Sequence, residues 1–336
     1  MSKEASYYEE IKEGKVRCNL CGHHCAIEDS KRGICGVREN KNGKLISLNY
    51  GKAVAANSDP IEKKPLFHFL PSSRAFSIAA AGCNMSCKYC QNYRISQVSD
   101  EIMGTSLPPE EVVSRALELG CETIAYTYSE PTVFFEYAYD TSKLAKKEGL
   151  QNVFVTNGYI EEAPLRDIEP ILDACNMDLK SFSDDFYLSV TGAGLDKVLE
   201  SIKLASELDM WLEITTLVIP GLNDSRGEMK EIASFISNLD PSIPWHISRF
   251  RPAYKMKDLP ATPVEKMKMA REEGEKAGLN HIYMGNLPGD GEDTFCPNCG
   301  EKLIERFGFQ VRKNRLSQGS CPNCGEIISG VWDEDA

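Results

Sequence analysis

Several things are missing from this 336-residue sequence. It has no apolar run near the roughly 20 residues that a membrane span requires, so no membrane partner is expected. The opening MSKEASYYEEIKEG is acidic and polar, and reads as neither a signal peptide nor a transit peptide. Basic charge is in deficit, with 38 Lys and Arg against 50 Asp and Glu. That balance disfavours a general nucleic-acid or anionic-membrane binder, because phosphate recognition runs on clustered Lys and Arg. Repeats and low-complexity tracts are absent. What remains is a soluble, cytoplasmic protein with ample length for a core.

Cysteine is abundant: 13 residues, an odd number, in a large chain with no export signal. A disulfide framework is therefore not expected. Cys18, Cys21, Cys25 and Cys35 form one group, Cys83, Cys87 and Cys90 a second, and Cys296, Cys299, Cys321 and Cys324 a third. Cys121 and Cys175 stand apart and read as small buried hydrophobes. Clustered thiols in a reducing compartment are metal ligands.

Between the cysteine groups the chain alternates β-rich runs with amphipathic stretches. Strands are predicted at 74–80, 123–128, 152–156, 176–179, 211–218, 245–250 and 281–285, and helices at 108–120, 132–148, 195–208, 227–238 and 263–277. Strand-then-helix repetition predicts an α/β fold with an all-parallel sheet, either an open doubly wound sheet or a partial or full barrel, with the active site at the carboxyl ends of the strands. A turn-rich linker at 287–293 divides this core from a small Cys-bearing module. The expected organisation is a Cys-rich segment over 1–70, a core over 71–289 and a terminal module over 290–336.

The segment AAAGCNMSCKYCQN places Cys83, Cys87 and Cys90 at C-x3-C-x2-C spacing directly after the first predicted strand. Three thiolates are one short of a closed zinc site and of a fully Cys-ligated iron–sulfur cluster, so one coordination position stays open. The alternative is a zinc knuckle completed by a distant residue. At the other end, CPNCG at 296–300 and again at 321–325 supplies four thiolates, enough to close the shell of a structural zinc ribbon; rubredoxin-like iron is the lesser alternative. Lys302, Arg306, Arg312, Lys313 and Arg315 between these knuckles read as a solvated face. Near the N-terminus, C-x2-C-x3-C-x9-C can hold zinc or an auxiliary iron–sulfur cluster, with His23 and His24 as bystanders. His68 and His246 read as packed core histidines, and TGAGLD at 191–196 as a plain interhelical turn.

The central loop, with Tyr89 at the aromatic position before its third cysteine, resembles the radical SAM superfamily. YTYSEP (126–131), VTNGY (155–159), MDLK (177–180) and TLVIPGLND (216–224) extend the resemblance to activating enzymes of glycyl radical enzymes. DPIEKKPLFHFLP, TYSEPTVFFEY, FVTNGYI and a tail ending in SGVW resemble the AmmeMemoRadiSam-system radical SAM enzymes, a family similar to pyruvate formate-lyase activating enzyme. The resemblance implies a partial (β/α)6-type TIM barrel with a C-terminal zinc-ribbon-like module. It implies a [4Fe-4S] cluster on Cys83, Cys87 and Cys90, whose fourth iron takes the amino and carboxylate groups of S-adenosylmethionine. One-electron cleavage then yields a 5′-deoxyadenosyl radical that abstracts hydrogen.

Cofactor contacts implied by the resemblance are Tyr89, Ser129, Glu130, Thr156, Asn157, Asp178 and Lys180. Glu130 is placed for the methionyl amine and Lys180 for its carboxylate; the alternative for Glu130 is an ordinary helix-start carboxylate beside Pro131. Implied partners are an electron donor such as a flavodoxin or ferredoxin, a protein substrate, and Memo-like and AMMECR-type proteins. Two departures stand out. Val155 replaces the cation-binding Asp of the activating enzymes, and Arg251 stands where relatives often carry His.

Overall fold

The computed structural model describes residues 2–98, 101–287 and 291–332. Its centre is an eight-stranded sheet: β1 Ala55–Pro60, β2 Arg74–Ala79, β3 Thr123–Tyr126, β4 Gln151–Thr156, β5 Ala174–Asp178, β6 Trp211–Val218, β7 Trp245–Arg249 and β8 Ile282–Gly285. The spatial order runs from β8 to β1 without a break in sequence. β2 to β8 are parallel neighbours, as the strand–helix alternation predicts. The helices Pro109–Glu118, Phe135–Lys147, Glu162–Ile168, Leu195–Glu207, Arg226–Leu239 and Val264–Ala277 form the crossovers. No pairing joins β8 to β1 among the described residues, so the sheet is an open, partial barrel.

The expectation of an all-parallel sheet needs one correction. β1 pairs antiparallel with β2, from Ala55 opposite Ala79 to Pro60 opposite Arg74. The N-terminal 70 residues thus supply an edge strand to the central sheet. Pro60 sits at the end of this strand, where a missing N–H costs the ladder little. The parallel strands read as continuous apolar runs because both faces are covered. All four residues of β3 are buried, as are Ala75 to Ala79 of β2.

The expected N-terminal Cys-rich segment folds as two small antiparallel sheets ahead of β1, one of which includes Val16–Cys18 and Ala26–Ile27. The terminal module is a three-stranded antiparallel sheet of Thr294–Phe295, Lys302–Phe307 and Gln310–Asn314. Part of the predicted linker (288–290) and the acidic tail after Trp332 lie outside the described residues. Among the described residues no helix is long and apolar enough to cross a membrane.

One expectation for the module fails. Arg306 is buried rather than solvated. Its Nη2 donates to the Phe67 carbonyl at 2.7 Å and its Nη1 to Thr294 Oγ1 at 2.7 Å, with the guanidinium 4.5 Å over the Phe67 ring. It ties the module to the barrel, a contact across more than 200 residues that no local pattern announces. Cys121 and Cys175 are buried as expected.

Candidate active site and metal centres

The loop after β2 delivers the central cysteines to the carboxyl end of the sheet. Gly82 turns with φ +108°, and a Cβ there would lie 2.7 Å from Val37 and 3.1 Å from the Cys35 carbonyl oxygen, so no larger residue fits. From behind, the turn Tyr187–Thr191 braces the loop: Ser86 N donates to the Thr191 carbonyl at 2.7 Å and Lys88 N to the Val190 carbonyl at 3.0 Å. The following Gly192 has φ +76°, and an added Cβ would meet Ser86 Oγ at 2.7 Å. TGAGLD is therefore a turn, as expected, but it also supports the cysteine loop.

A cavity of roughly 480 Å³ opens here. Cys83, Cys87 and Cys90 line it together with Tyr89, Ser129, Glu130, Thr156, Asn157, Asp178 and Lys180. The ends of β3, β4 and β5, distant in sequence, thus meet the cysteine loop in one chamber. Each strand contributes at its carboxyl end, as parallel α/β sheets do.

Glu130 takes the helix-start position weighed for it. It caps the short helix Pro131–Phe134, its Oε1 accepting from Thr132 N at 3.0 Å, and Thr156 Oγ1 donates to the same oxygen at 2.6 Å. Oε2 accepts from Asn157 N at 2.8 Å. Burial pushes the Glu130 carboxyl up despite these bonds. Lys180 lies just past the end of β5, and its Nζ donates to Asp178 Oδ2 at 2.6 Å. Burial alone would lower the Lys180 ammonium, yet Asp178, Tyr89 and Cys87 outweigh it and push it up. The Asp178 carboxylate is the contact that holds the ammonium in its charged form. Asn223 of the TLVIPGLND turn holds the Lys180 carbonyl at 2.6 Å, and Glu228 accepts from Phe182 N at 2.6 Å.

Sequence reasoning missed a second layer. Asp59 accepts from Lys63 at 2.8 Å, from Lys64 at 2.7 Å and from Tyr128 Oη. Burial would raise the Asp59 carboxyl, but these three donors pull it below its usual range. The charged DPIEKKP run was the available signal. His246 is buried and pairs with Glu213 at 2.5 Å, yet it also lines a neighbouring cavity of roughly 400 Å³. That cavity shares Lys63, Thr215, Ser248 and Asn286 with the first and carries Arg251, Phe307 and Phe309 on its walls.

The thiols discriminate between metal groups. In the terminal module Cys296 and Cys324 Sγ lie 3.6 Å apart, as do Cys299 and Cys321 Sγ, and all four sulfurs fall within 4.8 Å of one another. Sulfurs ligating one tetrahedral ion at about 2.3 Å sit just under about 4 Å apart, so this quartet fits a single ion. No other group of described residues meets that spacing, the central triad included. The triad lines one shared cavity, its sulfurs less closely gathered than those of the terminal quartet. Its surroundings suit thiolates: Met85 N donates to Cys83 Sγ at 3.3 Å and Asn157 Nδ2 at 3.6 Å, while Ser96 Oγ lies 3.3 Å from Cys90 Sγ. Burial pushes the Cys87 thiol up to about 11, so a bound cation must drive its ionisation. The Tyr89 hydroxyl is buried without a partner among the described residues.

A parallel partial barrel with a three-cysteine loop at its open end defines a class. The radical SAM superfamily model matches residues 77–236, and the chain belongs to that superfamily. Over 334 residues the chain is 46% identical to the uncharacterized protein MJ0808 of Methanocaldococcus jannaschii, covering 98% of this chain and 99% of that one. It is 24% identical over 204 residues to the pyruvate formate-lyase-activating enzyme of Clostridium pasteurianum, covering 56% and 84%. Among solved structures, that of Streptococcus suis SuiB bound to S-adenosylmethionine is similar in fold, with a TM-score of 0.52, 12% identity, and coverage of 68% of this chain and 53% of that one. The chain is thus a radical SAM enzyme, and the family implies a [4Fe-4S] cluster and S-adenosylmethionine.

Proposed function

We propose that this chain is an activating-enzyme-like radical enzyme that takes a hydrogen atom from a protein substrate. The observation that carries the reading is the convergence of three thiols, a charged Lys180 and the Glu130–Thr156–Asn157 network on one cavity. In this reading Cys83, Cys87 and Cys90 hold three irons. Lys180, aimed by Asp178, receives the methionyl carboxylate. Ser129 and Glu130 face the amine, Thr156 and Asn157 the ribose or methionyl groups, and Tyr89 closes the chamber beside the loop. When bound, cluster and cofactor supply one-electron sulfonium cleavage that ends in hydrogen abstraction and 5′-deoxyadenosine. The protein's task is to orient and to exclude water; no acid–base pair is needed.

The second cavity, which shares four lining residues with the first and is walled by Phe307 and Phe309, supports a substrate segment entering between barrel and module. Both phenylalanines are largely exposed, which suits a protein surface. A flavodoxin or ferredoxin supplies the electron, Memo-like and AMMECR-type proteins are the partners, the terminal quartet holds zinc, and the cytoplasm is the site of action. Anaerobic reconstitution with iron, sulfide, S-adenosylmethionine and dithionite should release 5′-deoxyadenosine, and Cys87→Ala should abolish it. An intact cluster that yields none would overturn the reading. With a candidate glycyl radical protein added, a doublet radical signal on that partner supports the activating role; 5′-deoxyadenosine release without it assigns another substrate.

A further inference from the structure

The N-terminal quartet is not explained by the active site. Cys18, Cys21, Cys25 and Cys35 all line one small, partly enclosed pocket of roughly 20 Å³, with Ile27, Leu20 and Val133 as apolar wall. Four thiols on one pocket are a metal site by composition, but no three of their sulfurs lie within 4.8 Å of one another. The terminal quartet of the same chain does close to that distance. A single tetrahedral ion brings its sulfurs together to just under about 4 Å, and the N-terminal sulfurs are not gathered that closely. A cubane of irons and sulfides spreads its four ligand sulfurs further apart.

A second observation points to the occupant's charge. Arg38 lines the same pocket, is 2% exposed, and donates through Nη2 to Glu136 at 2.7 Å. Its Nε and Nη1 are buried with no partner among the described residues. Buried guanidinium donors are rarely left unpaired, and two of them beside four thiols call for an acceptor. Sulfides and thiolates of an anionic cluster are such acceptors, and N–H bonds to them are a standard control of cluster potential.

The pocket also abuts the active site. Its wall includes Asn84, the neighbour of Cys83, and Thr132, which donates to Glu130. His23, between Cys21 and Cys25, has Nε2 2.6 Å from the Asn84 carbonyl oxygen, so that nitrogen carries the proton. The Cys35 carbonyl packs against Gly82. One layer of residues separates the two sites.

We propose that Cys18, Cys21, Cys25 and Cys35 hold a second, fully cysteine-ligated four-iron cluster, with Arg38 donating to it, directly behind the active-site triad. The site stands independently of the proposed substrate, and its test does not use turnover. Anaerobically reconstituted full-length protein is analysed for iron, sulfide and zinc, and dithionite-reduced samples are read by electron paramagnetic resonance. The native chain should carry about eight irons, eight sulfides and one zinc. The triple variant Cys83→Ala/Cys87→Ala/Cys90→Ala should keep about four irons and a signal that S-adenosylmethionine does not change. Cys21→Ala/Cys35→Ala should lose that half instead and keep the S-adenosylmethionine-sensitive signal. Native protein with about four irons and two zincs overturns the proposal, and so does a triple variant that folds, holds its zinc and contains no iron.

Discussion

At the C-terminus, four thiols sit on two knuckles with matching hydrogen bonds: Cys296 N to the Glu301 carbonyl and Gly300 N to the Cys296 carbonyl, then Cys321 N to Glu326 and Gly325 N to Cys321. Cys296 and Cys321 are buried, and Cys299 and Cys324 are exposed. At the N-terminus, four thiols ring an apolar pocket with a buried arginine and share a wall with the active site. The count is the same, but spacing, dielectric and neighbours differ. Repeated C-x2-C knuckles are rigid and pre-set for one ion. A strand-borne Cys18, a loop-borne Cys21 and Cys25 and the distant Cys35 instead enclose a volume. On the proposed assignments, metal identity follows from how the backbone spaces the ligands rather than from their number.

The largest effect should come from the terminal quartet. Structural zinc binding is worth on the order of 10 kcal/mol or more and is folding energy for its module. With zinc on the quartet as proposed, Cys299→Ser should release it and open residues 294–332 to limited proteolysis while iron content stays unchanged. Loss of iron together with zinc would erase the contrast between the quartets.

The buried arginines sharpen the comparison at the next level. Arg38→Met leaves Glu136, at 2% exposure, without its cation though still accepting from Ser6 N, and breaking a buried ion pair typically costs about 3–5 kcal/mol. Arg306→Met removes donors from carbonyl and hydroxyl acceptors only, for which about 1–3 kcal/mol is the usual cost. Urea unfolding should therefore show the larger loss for Arg38→Met. A larger loss for Arg306→Met would mean that the module, not the N-terminal segment, is the more tightly integrated region.

Much of the barrel was legible because its strands are apolar, β-branched and closed by turn residues; the predicted strand 211–218 is the observed Trp211–Val218. The cavity was legible through motifs that each mark a strand end, and parallel topology alone brings such ends together. β1 was not legible. AANSDP has Asn, Ser, Asp and Pro, all poor in strands, and it pairs only because β2 offers an open edge. Arg306 and the wall between the N-terminal pocket and the triad were hidden for another reason. Both are contacts over long sequence separations, and a charged residue reads as solvated until its buried acceptors are in place.

The smallest expected difference lies in the outer partners of the two quartets. His23 donates to the Asn84 carbonyl and packs edge-on against Tyr159 with ring centroids 4.9 Å apart. Asn84 in turn accepts from Asn157 Nδ2 at 2.8 Å and donates to the Tyr159 carbonyl at 2.7 Å. Removing the ring with His23→Ala should cost about 1 kcal/mol, the usual net worth of one hydrogen bond. Because Asn84 adjoins Cys83, it should also shift the signal of the active-site cluster. At the other quartet, Asn298 Nδ2 lies 3.6 Å from Cys324 Sγ at an exposed position. Water replaces that donor in Asn298→Ala, so stability should move by no more than about 0.5 kcal/mol, with zinc retained and the iron signals unmoved. If His23→Ala left the active-site signal as untouched as Asn298→Ala does, the shared wall would be mere packing, and the two quartets would be equally remote from the chemistry.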